Sequence, residues 1–399
     1  MRAGVVTVML AALFLVLPAG AGAQGLDTTC QFSLTRLDAS TTNVLAVDTN
    51  AVYWGGTYAG LPGTRIRIEG DFPHARYMSW NLYDSAARPI DALADFQLTP
   101  DPGGGYTGFI EFGPRPEQPA PNTLYSGDAR GGTFLYRVYV PQRGQDAKGG
   151  VPLPKVSLEP AGGTGGAPGI GACRELQAPY AWQLNRLIES APALPDPTAD
   201  GNGFPGRNPP NWRLFTNLCA SAVDVMLDNE DGEQFHPNAS QRCGDGPGFL
   251  SNRDIAYIFA PTSRGFGEVL LLRGRAPRRR QLRYWSFCQY EPATQRVIAC
   301  RRDNRVKVGP RRYYKIVVST AASRPNNARR ACGVTWLPWG PQTQGLLIYR
   351  HMLPVPSFKR AIQRVGEPGQ EKQVLGPLYP RSRYLADAAA FESRGCRRR

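Results

Sequence analysis

One pattern of residues occurs twice in this chain, and no other feature constrains the fold as strongly. The first copy reads Gly63-Thr64-Arg65-Ile66-Arg67-Ile68-Glu69-Gly70-Asp71-Phe72-Pro73. The second reads Gly267-Glu268-Val269-Leu270-Leu271-Leu272-Arg273-Gly274-Arg275-Ala276-Pro277. Both glycines and the proline keep their spacing, and Tyr53 and Tyr257 stand equally far upstream. Arg76-Tyr77-Met78-Ser79-Trp80 then matches Arg283-Tyr284-Trp285-Ser286-Phe287. Tyr83 matches Tyr290, Ile90 matches Val297, Ala92 matches Ala299 and Tyr106 matches Tyr313. Leu135-Tyr136-Arg137 with Pro141 closes the first copy as Ile348-Tyr349-Arg350 with Pro354 closes the second. A match over so many positions implies a duplicated module.

The module is built of strands. Ile66 and Ile68 alternate with polar residues at period two, as a half-buried strand requires. Tyr77–Tyr83 is aromatic-rich, which suits a pleated surface. Strands are also expected over Tyr106–Phe112, Thr133–Val140, Tyr313–Ser319 and Leu346–Met352. Short strands punctuated by Gly and Pro turns predict a mainly β protein: two tandem, diverged β-sandwich or jelly-roll-like modules with a few short helices.

The boundaries follow from composition. Residues 1–23 read as a secretory signal peptide: Met1-Arg2, an apolar run from Val5 to Leu17, then Ala21-Gly22-Ala23 before the expected cleavage. The run is too short for a permanent anchor. No Cys follows it directly, and no later apolar stretch reaches membrane length. The first β module is expected over 24–159 and a Gly/Pro-rich linker over 160–211, with a helix around Tyr180–Ser190. The second module is expected over 212–356. A helical, basic tail is expected over 357–399, with helices at Ser357–Val365 and Ala386–Ser393.

All eight cysteines follow the signal segment, an even number that points to disulfides in an exported chain. One pair follows from local geometry. Arg283–Cys288 and Arg296–Cys300 read as neighbouring strands of a hairpin turning at Glu291–Gln295, which sets Cys288 opposite Cys300. Cys30 and Cys173 bracket the first module and are paired on that ground. Cys219 with Cys243 and Cys332 with Cys396 are the pairs that remain. Zinc is not expected: there is no C-x-x-C spacing, and there are three histidines.

The copies differ in charge. Residues 24–170 carry 11 Lys and Arg against 14 Asp and Glu, a net of −3. Residues 171–399 carry 35 against 18, a net of +17. Arginines cluster at 278–280, 301–302, 311–312, 329–330 and 397–399. Such an excess favours an anionic partner. A competing reading is compositional: 41 Arg against 6 Lys, beside 44 Gly and 36 Pro, is what a GC-rich genome writes.

Ala75-Arg76-Tyr77-Met78-Ser79-Trp80-Asn81-Leu82-Tyr83-Asp84 resembles a segment of secreted bacterial proteins of unknown function. It is also similar to a jelly-roll domain at the C-terminus of some bacterial proteins of unknown function. The resemblance covers the two modules, implies a β-sandwich, and carries no activity, cofactor or site residue.

No catalytic motif stands out. His74, His236 and His351 lack a G-x-S-x-G elbow, and neither H-E-x-x-H nor a P-loop occurs. Glu69, Asp71 and Asp84 are the carboxylates of the first module that could serve a glycosidase. The candidate ligand-binding residues are the repeated Arg and Tyr: Arg76, Tyr77, Tyr136, Arg137, Arg283, Tyr284, Tyr349 and Arg350. Guanidinium and ring faces suit sugars and acidic groups; residues kept by both copies also serve to build the module. Trp336-Leu337-Pro338-Trp339-Gly340 reads either as exposed rings for a sugar or as core. No cofactor is expected. The leading expectation is an envelope-associated binding protein for anionic glycan or lipid, acting through the basic second module. The rivals are an exported glycan or ester hydrolase with its site between the modules, and a purely structural envelope protein. Nucleic acid is not expected, since the arginines are scattered without a recognition motif.

Overall fold

A computed structural model describes residues 30–41, 43, 46–60, 63–85, 88–129, 131–161, 171–176, 206–215, 251–292 and 295–396. The signal segment expected over 1–23, the helix expected at Tyr180–Ser190, and Cys219, Cys243 and His236 lie outside them.

Each copy folds as a pair of stacked sheets. In the first, the inner sheet runs β10(Gly171–Leu176), β1(Cys30–Leu37), β2(Ala51–Ala59), β8(Gly131–Pro141), β4(Ala75–Asp84) and β5(Pro89–Ala94). Its outer sheet runs β7(Thr123–Tyr125), β6(Gly105–Glu111), β3(Thr64–Asp71) and β9(Lys155–Pro160). In the second copy the inner sheet runs β11(Arg213–Leu214), β12(Ile255–Ser263), β18(Gln344–Pro354), β14(Leu282–Tyr290) and β15(Val297–Arg302). Its outer sheet runs β17(Thr335–Pro338), β16(Tyr313–Ser319), β13(Val269–Arg275) and β19(Arg381–Leu385). The common order is visible in register: Tyr53 faces Arg137 as Tyr257 faces Arg350, and Ser79 faces Arg137 as Ser286 faces Arg350.

Period-two alternation gives each inner sheet two buried faces. Met78, Trp80 and Leu82 of β4 and Phe134, Tyr136 and Val138 of β8 pack toward β3 and β6 as one core. Trp285 and Phe287 of β14 and Leu347 and Tyr349 of β18 do the same toward β13 and β16. The intervening residues of both inner sheets meet one another: Ala51, Tyr77, Ala94 and Tyr139 of the first module share a buried cluster with Ile255, Tyr284 and Met352 of the second. The order of layers is therefore outer, inner, inner, outer.

The repeated second glycine has a steric cause. A Cβ on Gly70 would lie 2.9 Å from the Tyr106 hydroxyl, and one on Gly274 would lie 2.5 Å from the Tyr314 hydroxyl. Each tyrosine crosses its glycine from the neighbouring strand, Gly70 opposite Tyr106 and Gly274 opposite Tyr314. This corrects the match of Tyr106 to Tyr313, which is exposed. The second copy is one residue longer between β14 and β15, so Pro89 corresponds to Val297 and Ala92 to Cys300.

The C-terminal segment also differs from expectation. Ser357–Val365 holds a single 3₁₀ turn, Ile362–Arg364, and an unexpected helix forms at α1(Glu371–Leu375), while the helix expected at Ala386–Ser393 forms as α2(Ala388–Glu392). Between these, β19 pairs with β13 and becomes the edge of the second outer sheet. The tail belongs to the module, because β13 would otherwise expose its backbone edge. Cys332 bonds to Cys396 and ties the loop before β17 to the chain end after α2. Leu337 and Trp339 are buried in the second core, and Trp336 is part-buried under Arg324, so the Trp336–Gly340 segment packs as core.

Gly274→Ala is expected to lower stability by about 1–3 kcal/mol, read as a fall in the denaturant midpoint with an unchanged slope.

Candidate functional site

Six of the eight repeated Arg and Tyr side chains, all but Tyr136 and Tyr349, lie at the seam between the modules, where Arg76 lies over the Tyr284 ring and Arg283 over that of Tyr77. The Tyr284 hydroxyl donates to Asp48 at 2.6 Å, and the Tyr77 hydroxyl donates to Asp254 at 2.6 Å. Ser286 adds a donor to Asp48 at 2.7 Å. Asn50 donates to the Tyr284 oxygen at 3.3 Å, and Asn252 to that of Tyr77 at 3.2 Å. The loop supplying these groups reads Asp48-Thr49-Asn50 in one copy and Asn252-Arg253-Asp254 in the other, so acid and amide have exchanged places. Arg76 pairs with Asp303, while Arg283 grips Asp95 through both terminal nitrogens, one at 2.7 Å. The Tyr83 hydroxyl donates to the Ser251 carbonyl at 2.9 Å, and the Tyr290 hydroxyl to the Val47 carbonyl at 2.9 Å. Residue i touches j and the counterpart of j touches the counterpart of i, the signature of a two-fold interface.

Inside this seam each module holds one buried arginine among tyrosine rings. Arg137 lies 5.5 Å from the Tyr53 ring and 5.7 Å from that of Tyr83. Arg350 lies 5.3 Å from both Tyr257 and Tyr290 and donates to the Ala46 carbonyl of the other module at 2.6 Å. Burial pushes the Tyr53 and Tyr83 hydroxyls up to about 12, so the rings around Arg137 stay neutral.

A ligand groove lined by all eight expected residues does not form. Tyr136 and Tyr349 point into the sandwich cores, where Tyr136 meets Trp80 at 4.8 Å and Tyr349 stacks on Phe287 at 4.1 Å. Arg137 and Arg350, one residue on, point the opposite way by strand alternation. Tyr77 and Tyr284 are sealed in the seam, and Arg76 and Arg283 are engaged at its margin.

Cys288 bonds to Cys300 across directly paired positions of β14 and β15, at the edge of the seam. Asp48 lies beside this bridge. The two sulfurs are bonded to each other and leave no thiolate for a metal. β1 and β10 pair in parallel, with Ser33 opposite Cys173; the Cys30 and Cys173 side chains lie outside the described residues.

The other sequence candidates do not converge. Glu69 pairs with Arg67 at 3.0 Å on the outer sheet, and Asp84 with Arg88 at 2.7 Å. His74 sits in the turn before β4. His351 is wholly buried in the second module, accepting from the Ile362 backbone at 3.2 Å through Nδ1. Burial drops its pKa to about 3.

Two surface features are built from residues that the sequence did not single out as site residues. The first is the outer sheet of the second module. Arg273 stands directly opposite Lys315 on one side and Arg381 on the other, and Arg383 stands opposite Leu271. In the first module the corresponding face is neutralised: Arg65 reaches Glu159 at 2.6 Å and Glu111 at 3.4 Å, and Glu69 occupies the place of Arg273. Among the described residues no carboxylate pairs with Arg273, Arg275, Arg381, Arg383 or Arg394. Burial, then the charges of Arg383 and Arg273, lowers the pKa of Arg394. The second feature is a cleft of about 580 Å³ at the seam, lined by Ile90, Asp91, Ala92, Gln97, Arg115, Tyr125, Gly127, Arg253 and Asp254. No histidine lines it.

Tyr284→Phe removes a donor from buried Asp48 and is expected to cost about 1–3 kcal/mol of stability in urea unfolding. His351 gives a second prediction, on pH. Its folded pKa is near 3, against about 6.5 unfolded. Between these values the unfolded chain binds the extra proton, so stability falls as pH drops through that window. The slope contributed approaches about 1.4 kcal/mol per pH unit. His351→Phe should flatten the difference in urea midpoint between pH 7 and pH 4.5.

No family model and no curated protein matches the chain. Among solved structures it is similar to an uncharacterised protein from Burkholderia cenocepacia: 12% identity, 98% of this chain and 100% of that one, TM-score 0.52. It is also similar to the VPA0106 protein from Vibrio parahaemolyticus: 14% identity, 86% and 92% covered, TM-score 0.42. No helix among the described residues is long and apolar enough to cross a membrane. The chain is a disulfide-bonded protein of two sandwich modules that shares the overall fold of the Burkholderia cenocepacia protein.

Proposed function

We propose that this is an exported binding protein whose second module attaches to an anionic surface of the cell envelope, an acidic glycan or anionic lipid headgroups, through its outer sheet. One observation carries the reading: Arg273 and Arg381 stand directly opposite each other on β13 and β19, and among the described residues no carboxylate pairs with either. Like charges directly opposite one another destabilise a sheet. In the first module an acid, Glu69, takes the place of Arg273 and stands opposite Lys155, the equivalent of Arg381, so the scaffold does not require the repulsion. Clustered phosphates or carboxylates would relieve it. The flanking Arg275, Arg383 and Arg394 widen the patch, and the guanidinium fork suits both anions. The two disulfides among the described residues fit an oxidising compartment.

The test is cosedimentation of the full chain with vesicles containing phosphatidylglycerol, beside retention on immobilised polygalacturonate. Binding to at least one is expected to weaken steeply between about 0.01 M and 0.15 M salt, as the Debye length shortens from about 30 to 8 Å. Arg273→Glu should weaken it by about tenfold or more, while Arg67→Ala on the first module should leave it unchanged. Binding indifferent to salt, or equal loss in both variants, rejects the proposal. Which probe is retained separates glycan from lipid.

A further inference from the structure

The seam cleft lies apart from the basic sheet and has its own chemistry. Its floor holds Asp91, a buried carboxylate that accepts from the Tyr125 backbone at 3.0 Å and from Arg115 at 2.9 Å. Arg253 approaches the other oxygen of Asp91 at 3.9 Å, from the opposite module. Asp91 thus anchors Arg115, while Arg253 is held by donating to the Ile90 carbonyl, and both guanidinium groups are half exposed, 50% and 52%. A guanidinium carries five donors, so both retain N–H groups beyond those directed at Asp91. The Gln97 carbonyl oxygen is taken by the Ala94 backbone at 2.9 Å, which leaves its amide nitrogen as a donor. Asp254 has one oxygen occupied by Tyr77, so its other oxygen is the acceptor on offer. The walls are the short side chains of Ile90 and Ala92 together with Gly127.

Strand register shows that the duplicated scaffold does not demand this set. Asp91 faces Leu82, and in the second copy the residue facing Gln289 is Ala299. The counterparts of Arg253 and Asp254 are Thr49 and Asn50. Both sets of reciprocal contacts form, yet the charged cleft belongs to one end of the pseudo-two-fold axis.

We infer that this cleft binds a small hydroxylated carboxylate, of the size and chemistry of a single sugar acid. The two guanidinium groups take the carboxylate in a bidentate grip. Asp254 accepts from a hydroxyl, and Gln97 donates to another. A volume of about 580 Å³ falls within the range of small-molecule sites. The cleft draws residues from both modules, so the ligand would also report on their docking.

Saturation-transfer NMR on the full chain tests this with D-glucuronate as probe and D-glucose as its uncharged match. Transfer to glucuronate and little to glucose is expected. Arg253→Ala and Arg253→Gln should each weaken glucuronate binding by about tenfold, with the thermal midpoint checked for each. Arg273→Ala, which disables the basic sheet, should leave it unchanged, so failure of this inference is separable from failure of the envelope-binding proposal. No transfer to glucuronate, equal transfer to glucose, parent-like binding by both Arg253 variants, or loss of binding in Arg273→Ala overturns the assignment.

Discussion

Asp48 and Asp254 are carboxylates set at the boundary between two sandwiches, and much of the molecule is arranged around their partners. A buried carboxylate is costly unless it is hydrogen-bonded. Each of these two is capped by a tyrosine hydroxyl that the other module supplies. The apolar faces of the inner sheets meet around them, with Tyr77, Tyr139 and Tyr284 forming edge-to-face contacts at 5.7–5.8 Å. Separating the modules would expose that aromatic surface and unpair the acids together. The seam therefore behaves as an internal interface held by both polar and apolar terms, and it fixes where every other surface points.

This arrangement explains what the two copies share. Arg76 and Arg283, and Tyr77 and Tyr284, are alike because each meets its reciprocal partner across the seam, and Arg137 and Arg350 are alike in lying buried among tyrosine rings inside it. A solvent-facing ligand site would not impose identical residues on two modules of opposite charge. The outer sheets, free of that constraint, have diverged. One carries arginines balanced by glutamates, and the other sets Arg273 directly opposite Arg381. The cleft at Asp91 has diverged as well, since its counterpart position is Ala299.

The two disulfides among the described residues lie where the second module departs from the first. The Cys288–Cys300 bridge crosses β14 and β15, where the first module has Asn81 and Ala92. The Cys332–Cys396 bridge clamps α2 over the apolar half of the outer sheet, beside Val269, Leu271 and Val317. That cover leaves the other half of the sheet bare, and the cationic row stands there.

By itself the sequence determined the duplication, the strand-rich class, the opposed charges and the Cys288–Cys300 bridge. All of these are local or periodic signals: spacing, alternation at period two and hairpin register. The order of the four sheets, the strand β19 recruited from the tail, and the one-residue slip that makes Tyr314 the partner of Gly274 were decided by tertiary structure. They depend on pairing between segments far apart in the chain, which no local pattern encodes. The fate of the repeated Arg and Tyr residues was decided there too. An alternating strand states that Tyr136 and Arg137 face opposite ways, but not that the second face is covered by another module. Once it is covered, those side chains hold the modules together, and among the described residues the arginines at Arg273 and the cleft at Asp91 lie outside that contact.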